Sequence, residues 1–173
     1  TNGYDFEINN TCTLDSMFTL SHIGSLLEGR NPQVLWKVLS ELVQTSADFS
    51  KVFRLNLIGH VSERVLESIK MHGLEAHTNC RGYVSHNEAL VYQNKTQLLL
   101  LIEEDSIETR YIIPGKLFEY MASKRPIIAV GPDISDIEDI LVKSCAGAYF
   151  RYSDAELLRL NILNHFEAYK INN

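Results

Sequence analysis

Apolar runs of strand length alternate with segments of helical periodicity along this chain. Apolar runs predict strands at residues 18–23, 53–58, 97–102, 126–130 and 148–152, and residues 80–84 are interpreted as a further short strand. Apolar residues at helical spacing predict helices at residues 31–44, 62–72, 87–93, 117–123, 136–143 and 154–169. This alternation predicts an α/β fold: a doubly wound, Rossmann-like six-stranded parallel sheet with helices on both faces.

The predicted topology also indicates where a ligand would bind. In a doubly wound sheet, ligands lie beyond the carboxyl ends of the strands, at the point where the strand order reverses. The loops that follow the first, third, fourth and fifth predicted strands are therefore the candidates for a site, at residues 24–31, 84–86, 103–116 and 131–135.

Residues 113–132, IPGKLFEYMASKRPIIAVGP, carry the most informative motif. They predict a short helix that opens on Pro114, Gly115 and Lys116 and runs into a buried strand. A helix N-terminus presents unpaired N–H groups and a positive dipole end, so a glycine and a lysine there suit an anion. Glu119 follows Lys116 by one turn, where its carboxylate can accept hydrogen bonds from a ribose diol. A surface ion pair between these two side chains is the alternative interpretation.

The first predicted strand leads into another glycine-containing loop, HIGSLLEGRNP, at residues 22–32. Gly24 and Gly29 would let the backbone approach a phosphate, and Arg30 could pair with it as a bidentate donor. The spacing is not G-x-G-x-x-G, which disfavours dinucleotide binding. An ordinary turn with a solvated arginine is the alternative here.

Composition limits the kinds of partner. The chain has 173 residues, enough for one domain with its own core, and a formal net charge of -6. An acidic balance disfavours nucleic acid and anionic membranes, because both reward a clustered basic surface. No apolar run reaches the roughly 18 residues that a membrane span requires. We therefore expect a cytoplasmic domain with no nucleic-acid partner and no membrane span.

The sequence does not indicate a metal, a cofactor or a catalytic residue. Cys12, Cys80 and Cys145 are far apart, which argues against a zinc site or a disulfide framework. The acids of "EED", residues 103–105, are adjacent and therefore point to different faces. His86 lies in a loop expected to face the ligand, but a lone histidine in a sequence is a weak candidate for catalysis. We therefore predict no metal site and no cofactor, and we assign no catalytic residue.

The chain resembles the C-terminal, donor-binding domain of a GT-B fold glycosyltransferase of the family 4 type. The resemblance spans nearly all of the sequence and rests on four segments, namely TNGYD, HIGSLLEGRNP, RGYVSHNEA and IPGKLFEYMASKRPIIAVGP. It implies that residues 1–173 form a single donor-nucleotide-binding domain, which the chain enters through an interdomain hinge at residues 1–16. It also implies that an N-terminal acceptor domain lies outside this chain.

The resemblance implies that the donor is a nucleoside-diphosphate sugar, either a UDP- or a GDP-sugar. Glu119 would bind the ribose hydroxyls, while Arg30 and Lys116 would lie beside the diphosphate. The backbone of five further residues would complete the diphosphate cradle, namely Gly24, Ser25, Pro114, Gly115 and Leu117. The backbone around Tyr83 and Val84 would meet the base. The acceptor, a glycan or lipid-linked glycan of polysaccharide biosynthesis, would bind the other domain, which would also carry any membrane association of the whole enzyme.

Two departures from the family pattern leave the sugar and the stereochemical outcome open. The family often has a glutamate eight residues before the ribose-binding one, where this chain has Tyr111. Many relatives also have an arginine directly after the first glycine, where this chain has Ser25 after Gly24. Two other functions are compatible with the sequence: a nucleotide-sugar epimerase of the same architecture, and a noncatalytic module that binds a nucleotide or a partner.

Overall fold

One sheet of six parallel strands forms the centre of the molecule. The computed structural model describes residues 13–106, 108–109 and 111–172, so most of the predicted hinge lies outside the described residues. The sheet has the order β3-β2-β1-β4-β5-β6 and consists of β1 (Phe18–Ile23), β2 (Phe53–Ile58), β3 (Thr78–Arg81), β4 (Leu98–Ile102), β5 (Ile127–Gly131) and β6 (Gly147–Arg151). The described helices are α1 (Gln33–Thr45), α2 (Ala47–Val52), α3 (Glu63–Met71), α4 (His86–Lys95), α5 (Lys116–Ala122), α6 (Asp136–Ser144) and α7 (Ala155–Asn172). The predicted doubly wound α/β fold is confirmed.

Two apolar clusters, one on each face of the sheet, hold the helices in place. Residues of α1, α2, α3 and α7 share the larger cluster with one face of the strands, where Trp36 is fully buried. Residues of α5 and α6 form the smaller cluster on the opposite face, and α4 packs against it through Ala89 and Tyr92. Burial on both faces explains why β4 and β5 have no exposed position. No helix within the described residues is long and apolar enough to cross a membrane.

The loop after β1 is joined to the loop after β2 by backbone contacts. Gly24 N–H donates to Ile58 O at 2.7 Å, and Leu26 N–H donates to His60 O at 2.8 Å. A Cβ placed on Gly59 would lie only 2.6 Å from Gly24 O, and both glycines have a φ of +121°. The two backbones can therefore approach so closely only because both positions are glycine.

The structure corrects several predicted boundaries, above all those of β3 and the end of α7, and adds one helix. β3 covers residues 78–81, not 80–84, because its pairing with β2 ends where β2 ends, at Ile58 with Arg81. α2 was not predicted; it is a helix of six residues whose N-cap, Ser46, accepts a hydrogen bond from Phe49 N–H. α7 begins at Ala155 and runs to Asn172, beyond the predicted end at 169. The expected glycine end of α3 is present, since Gly73 has a φ of +69°.

Candidate functional site

The site lies where the strand order of the sheet reverses, between β1 and β4. Because all six strands are parallel, their carboxyl ends lie at one edge of the sheet. Chain connections leave β1 and β4 towards opposite sides of the sheet, which opens a crevice between their loops. The loop at 24–32 forms one side of this crevice, and the loop at 103–115 leads to α5 on the other.

Gly24 and Lys116 are in direct contact across this crevice. A Cβ placed on Gly24 would lie 2.6 Å from Lys116 Nζ, so the glycine leaves the space that the ammonium group occupies. The φ of +121° at Gly24 is also one that residues with a side chain rarely adopt. Both features require glycine here, as expected of a loop that an anion approaches closely.

Lys116 and Arg30 form a pair of cations without partner anions. The pKa of Lys116 is lowered from 10.5 to about 8, mainly by burial and then by repulsion from Arg30, against a smaller opposite effect of Glu119. Neither the Arg30 guanidinium nor Lys116 Nζ has a hydrogen-bond or ion-pair acceptor within residues 13–106, 108–109 and 111–172. Two neighbouring cations with unused donors favour a bound anion of more than one charge.

Glu119 does not form the surface ion pair with Lys116 that was the alternative interpretation. No salt bridge joins these two side chains, both of which are described. Glu119 Oε2 instead accepts a hydrogen bond from Gln93 Nε2 of α4 at 3.2 Å. Glu119 is half-buried, so part of this residue remains exposed.

The remaining predicted site residues fall into two groups. Ser25, Pro114 and Gly115 lie in the two crevice loops, where Ser25 is exposed and the other two are half-buried. Tyr83 and Val84 lie between β3 and α4, two strands away from β1 in the sheet order. Tyr83 is 96% exposed, whereas Val84 packs against the smaller apolar cluster.

That the backbone of Leu117 helps to form the diphosphate cradle stays a prediction. Its side chain is fully buried in the smaller apolar cluster. Its N–H donates to Pro114 O at 3.0 Å, and the N–H of Phe118 donates to Gly115 O at 3.2 Å, so the first turn of α5 uses these donors itself. The side chain of Leu117 therefore anchors α5 in the apolar core.

His22, at the end of β1, was not among the predicted site residues. Burial lowers its pKa to about 3, with a further lowering by Lys116, so the imidazole is neutral. Nδ1 lies 3.0 Å from Leu100 O and therefore donates, since a carbonyl only accepts. Nε2 is buried and makes no hydrogen bond of ordinary geometry among the described residues, while the backbone of Ser25 acts on the ring and partly opposes the lowering of its pKa. A lone histidine in an apolar strand carries no pattern that would have indicated this position.

Glu103, the first acid after β4, supports the loops and does not face the crevice as a metal ligand. It is 6% exposed and accepts hydrogen bonds from Tyr149 OH at 2.8 Å and from Ser135 Oγ at 3.0 Å. Burial raises the pKa of its carboxyl group. No group of three or more His, Cys, Asp or Glu side chains suited to a metal ion occurs in the described part of the chain.

This architecture, with its crevice between β1 and β4, is the fold of the C-terminal domains of GT-B glycosyltransferases. WaaG, a glycosyltransferase involved in lipopolysaccharide biosynthesis, is similar over 91% of this chain with a TM-score of 0.66 and 13% sequence identity. A glycosyltransferase from Rickettsia africae ESF-5 is similar over 88%, with a TM-score of 0.66 and 18% identity. No family model and no curated protein matches this chain by sequence.

The similar region is only part of most of these proteins. The chain spans 42% of WaaG and 38% of the Rickettsia protein. It spans 29% of TarM from S. aureus, solved in complex with Fondaparinux, alpha-GlcNAc-glycerol and UDP, at a TM-score of 0.64 and 16% identity. The C-terminal domain of LpcC from Francisella tularensis, a group 1 glycosyl transferase, matches at a TM-score of 0.54 and 13% identity over 95% of this chain and 89% of its own length.

Proposed function

We propose that this chain is the donor-binding domain of a glycosyltransferase and that it binds a nucleoside-diphosphate sugar, a UDP- or GDP-sugar. The observation that carries the proposal is the unpaired cation pair of Lys116 and Arg30, which faces the crevice beside Gly24. A diphosphate has the charge that two neighbouring cations need. The similarity in fold to glycosyltransferases, one of them solved with UDP, supports the choice of ligand.

The same pair would act on the chemistry of transfer. As the bond between sugar and diphosphate breaks, negative charge builds up on the departing diphosphate. Lys116 is held before the reaction by burial beside Gly24, and Arg30 lies close enough to lower the pKa of Lys116, so the two cations would stabilise that charge where it forms. The acceptor, a glycan or a lipid-linked glycan, would bind a second domain outside the described residues.

Nucleotide binding tests the proposal directly. Thermal unfolding should be followed with millimolar UDP, GDP, ADP and CDP in parallel, because a ligand that binds only the folded state raises its stability by RT ln(1 + [L]/Kd). At a hundredfold excess over Kd this is about 2.7 kcal/mol, or a rise in Tm of roughly 5–10 °C for a chain of this size. A shift selective for one base is expected; no shift with any of the four would overturn the proposal.

Glu119→Ala tests the assignment of the ribose. We expect this variant to fold and to bind the selected nucleoside diphosphate more weakly by about 1–3 kcal/mol, as for a lost hydrogen bond to a charged group. Glu67→Ala, on the exposed side of α3, is the matched control and should bind like the wild type. Equal affinities of the two variants, measured by calorimetry, would refute the ribose assignment.

A further inference from the structure

We propose that Gln93 is a positioning residue that fixes the Glu119 carboxylate in the orientation needed to receive the ribose of the donor. The inference rests on the proposed function and deepens it. Gln93 lies near the end of α4, 26 residues before Glu119 in the sequence, and its Nε2 is 3.2 Å from Glu119 Oε2. It is 2% exposed, so its amide cannot rotate freely into solvent.

The chemistry of the two groups sets the direction of this hydrogen bond. A carboxylate only accepts, so the amide must turn its NH₂ group towards Glu119 and its carbonyl away. Glu119 Oε2 is thereby occupied, and Oε1 with the remaining lone pairs is left for hydroxyl donors. A vicinal diol presents two such donors, and a carboxylate held in one rotamer can meet both at once.

The side-chain amide of Gln93 makes only part of the hydrogen bonds that it could make among the described residues. Its Oε1 is buried and has no hydrogen-bond partner among the described residues. A buried acceptor without a partner costs folding free energy, whereas an apolar side chain of the same length would not. Folding stability therefore does not explain a glutamine at this position, while the contact with Glu119 does.

Gln93 is buried, whereas Glu119 is only half-buried. Because Gln93 is buried, a nucleotide can meet Glu119 without meeting Gln93. Any effect of Gln93 on binding must then pass through the carboxylate. The effect should consequently depend on the presence of the ribose hydroxyls, which a general loosening of the fold would not do.

The test compares Gln93→Met with the wild type in calorimetric titrations. Each titration uses UDP, GDP, ADP or CDP and, in parallel, the 2′,3′-dideoxy form of the same nucleotide. Glu119→Ala and the variant that carries both Gln93→Met and Glu119→Ala complete a double-mutant cycle. Asn161→Leu is the control, since Asn161 Oδ1 is a second buried acceptor without a partner, on α7. Gln93→Leu serves as a second variant should Gln93→Met fold poorly.

We expect Gln93→Met to be at least as stable as the wild type and to bind the selected ribonucleotide roughly threefold to tenfold more weakly. Its affinity for the dideoxy nucleotide should be unchanged, and no further loss should appear when Glu119→Ala is present. Asn161→Leu should be as stable as Gln93→Met and should bind the ribonucleotide with wild-type affinity. Binding that depends on Glu119 but not on Gln93 overturns this inference alone; a wild-type chain that binds no nucleotide overturns the proposed function as well.

Discussion

Replacement of Lys116 by methionine should strengthen folding and abolish diphosphate binding. The pKa of Lys116 is lowered from 10.5 to about 8, first by burial and then by Arg30, so the folded state holds the ammonium group at a cost. One pKa unit corresponds to 1.36 kcal/mol, and the difference between 10.5 and about 8 therefore amounts to about 3 kcal/mol at neutral pH. Methionine keeps a flexible apolar stem and removes the charge.

The size of this effect changes with pH in a defined window. Below pH 8 both folded and unfolded chains hold the proton, and the full cost is present. Between about 8 and 10.5 the folded wild type has lost a proton that the unfolded chain retains, so its stability rises with pH relative to Lys116→Met. The advantage of the variant should thus be about 1–3 kcal/mol at pH 6.5 and should shrink steadily above pH 8.

Urea unfolding of the wild type and Lys116→Met between pH 6.5 and 10 measures this difference. Lys37→Met, on the exposed side of α1, is the control and should show no comparable gain at pH 6.5. A variant less stable than the wild type at pH 6.5, or a difference that does not change with pH, would refute the reasoning about burial. A stabilised variant that still binds the diphosphate with wild-type affinity would refute the role in anion binding.

Gly24→Ala and Leu117→Ala test the loop beside Lys116 and the packing of α5, and Gly73→Ala is the control for the first. Gly24→Ala should cost roughly 1–3 kcal/mol in urea unfolding, because of its φ of +121°, and should weaken diphosphate binding by displacing the Lys116 side chain. Gly73→Ala, with a φ of +69° and no atom within 4 Å of its added Cβ, should lose stability but keep binding. Leu117→Ala should cost about 2–5 kcal/mol of unfolding free energy, since Leu117 is fully buried; a cost below 1 kcal/mol would contradict its place in the core.

The sequence predicted most of the fold because apolar residues recur along every strand except β3. β1 and β2 have the predicted bounds, and the other strands apart from β3 differ by about one residue at each end. β3 was misplaced because it is an edge strand whose residues are largely exposed, so no apolar run marks it. The short α2 was missed because six residues after a serine cap are too few for a periodic pattern.

The sequence could predict only those site residues that belong to a motif of consecutive residues. Gly24, Arg30 and Lys116 lie in loops whose composition already indicated an anion, and the topology brings those loops to one crevice. The partner of Gln93, Glu119, is 26 positions away in the sequence, and the partner of His22, Leu100, is 78 positions away. Such partners follow from the packing of α4, α5 and the sheet, which a single sequence does not specify.

The contact between the loops after β1 and β2 has a consequence for how such chains can diverge. Leu26 exchanges backbone hydrogen bonds with the 60–62 segment, accepting from Ser62 N–H at 3.0 Å and donating to His60 O at 2.8 Å. An insertion at 59–62 would therefore displace the loop that carries Arg30, although that segment is remote from the cation pair in sequence. Libraries that seek new donor preferences should vary the length of the turn at 82–84 and leave 59–62 unchanged.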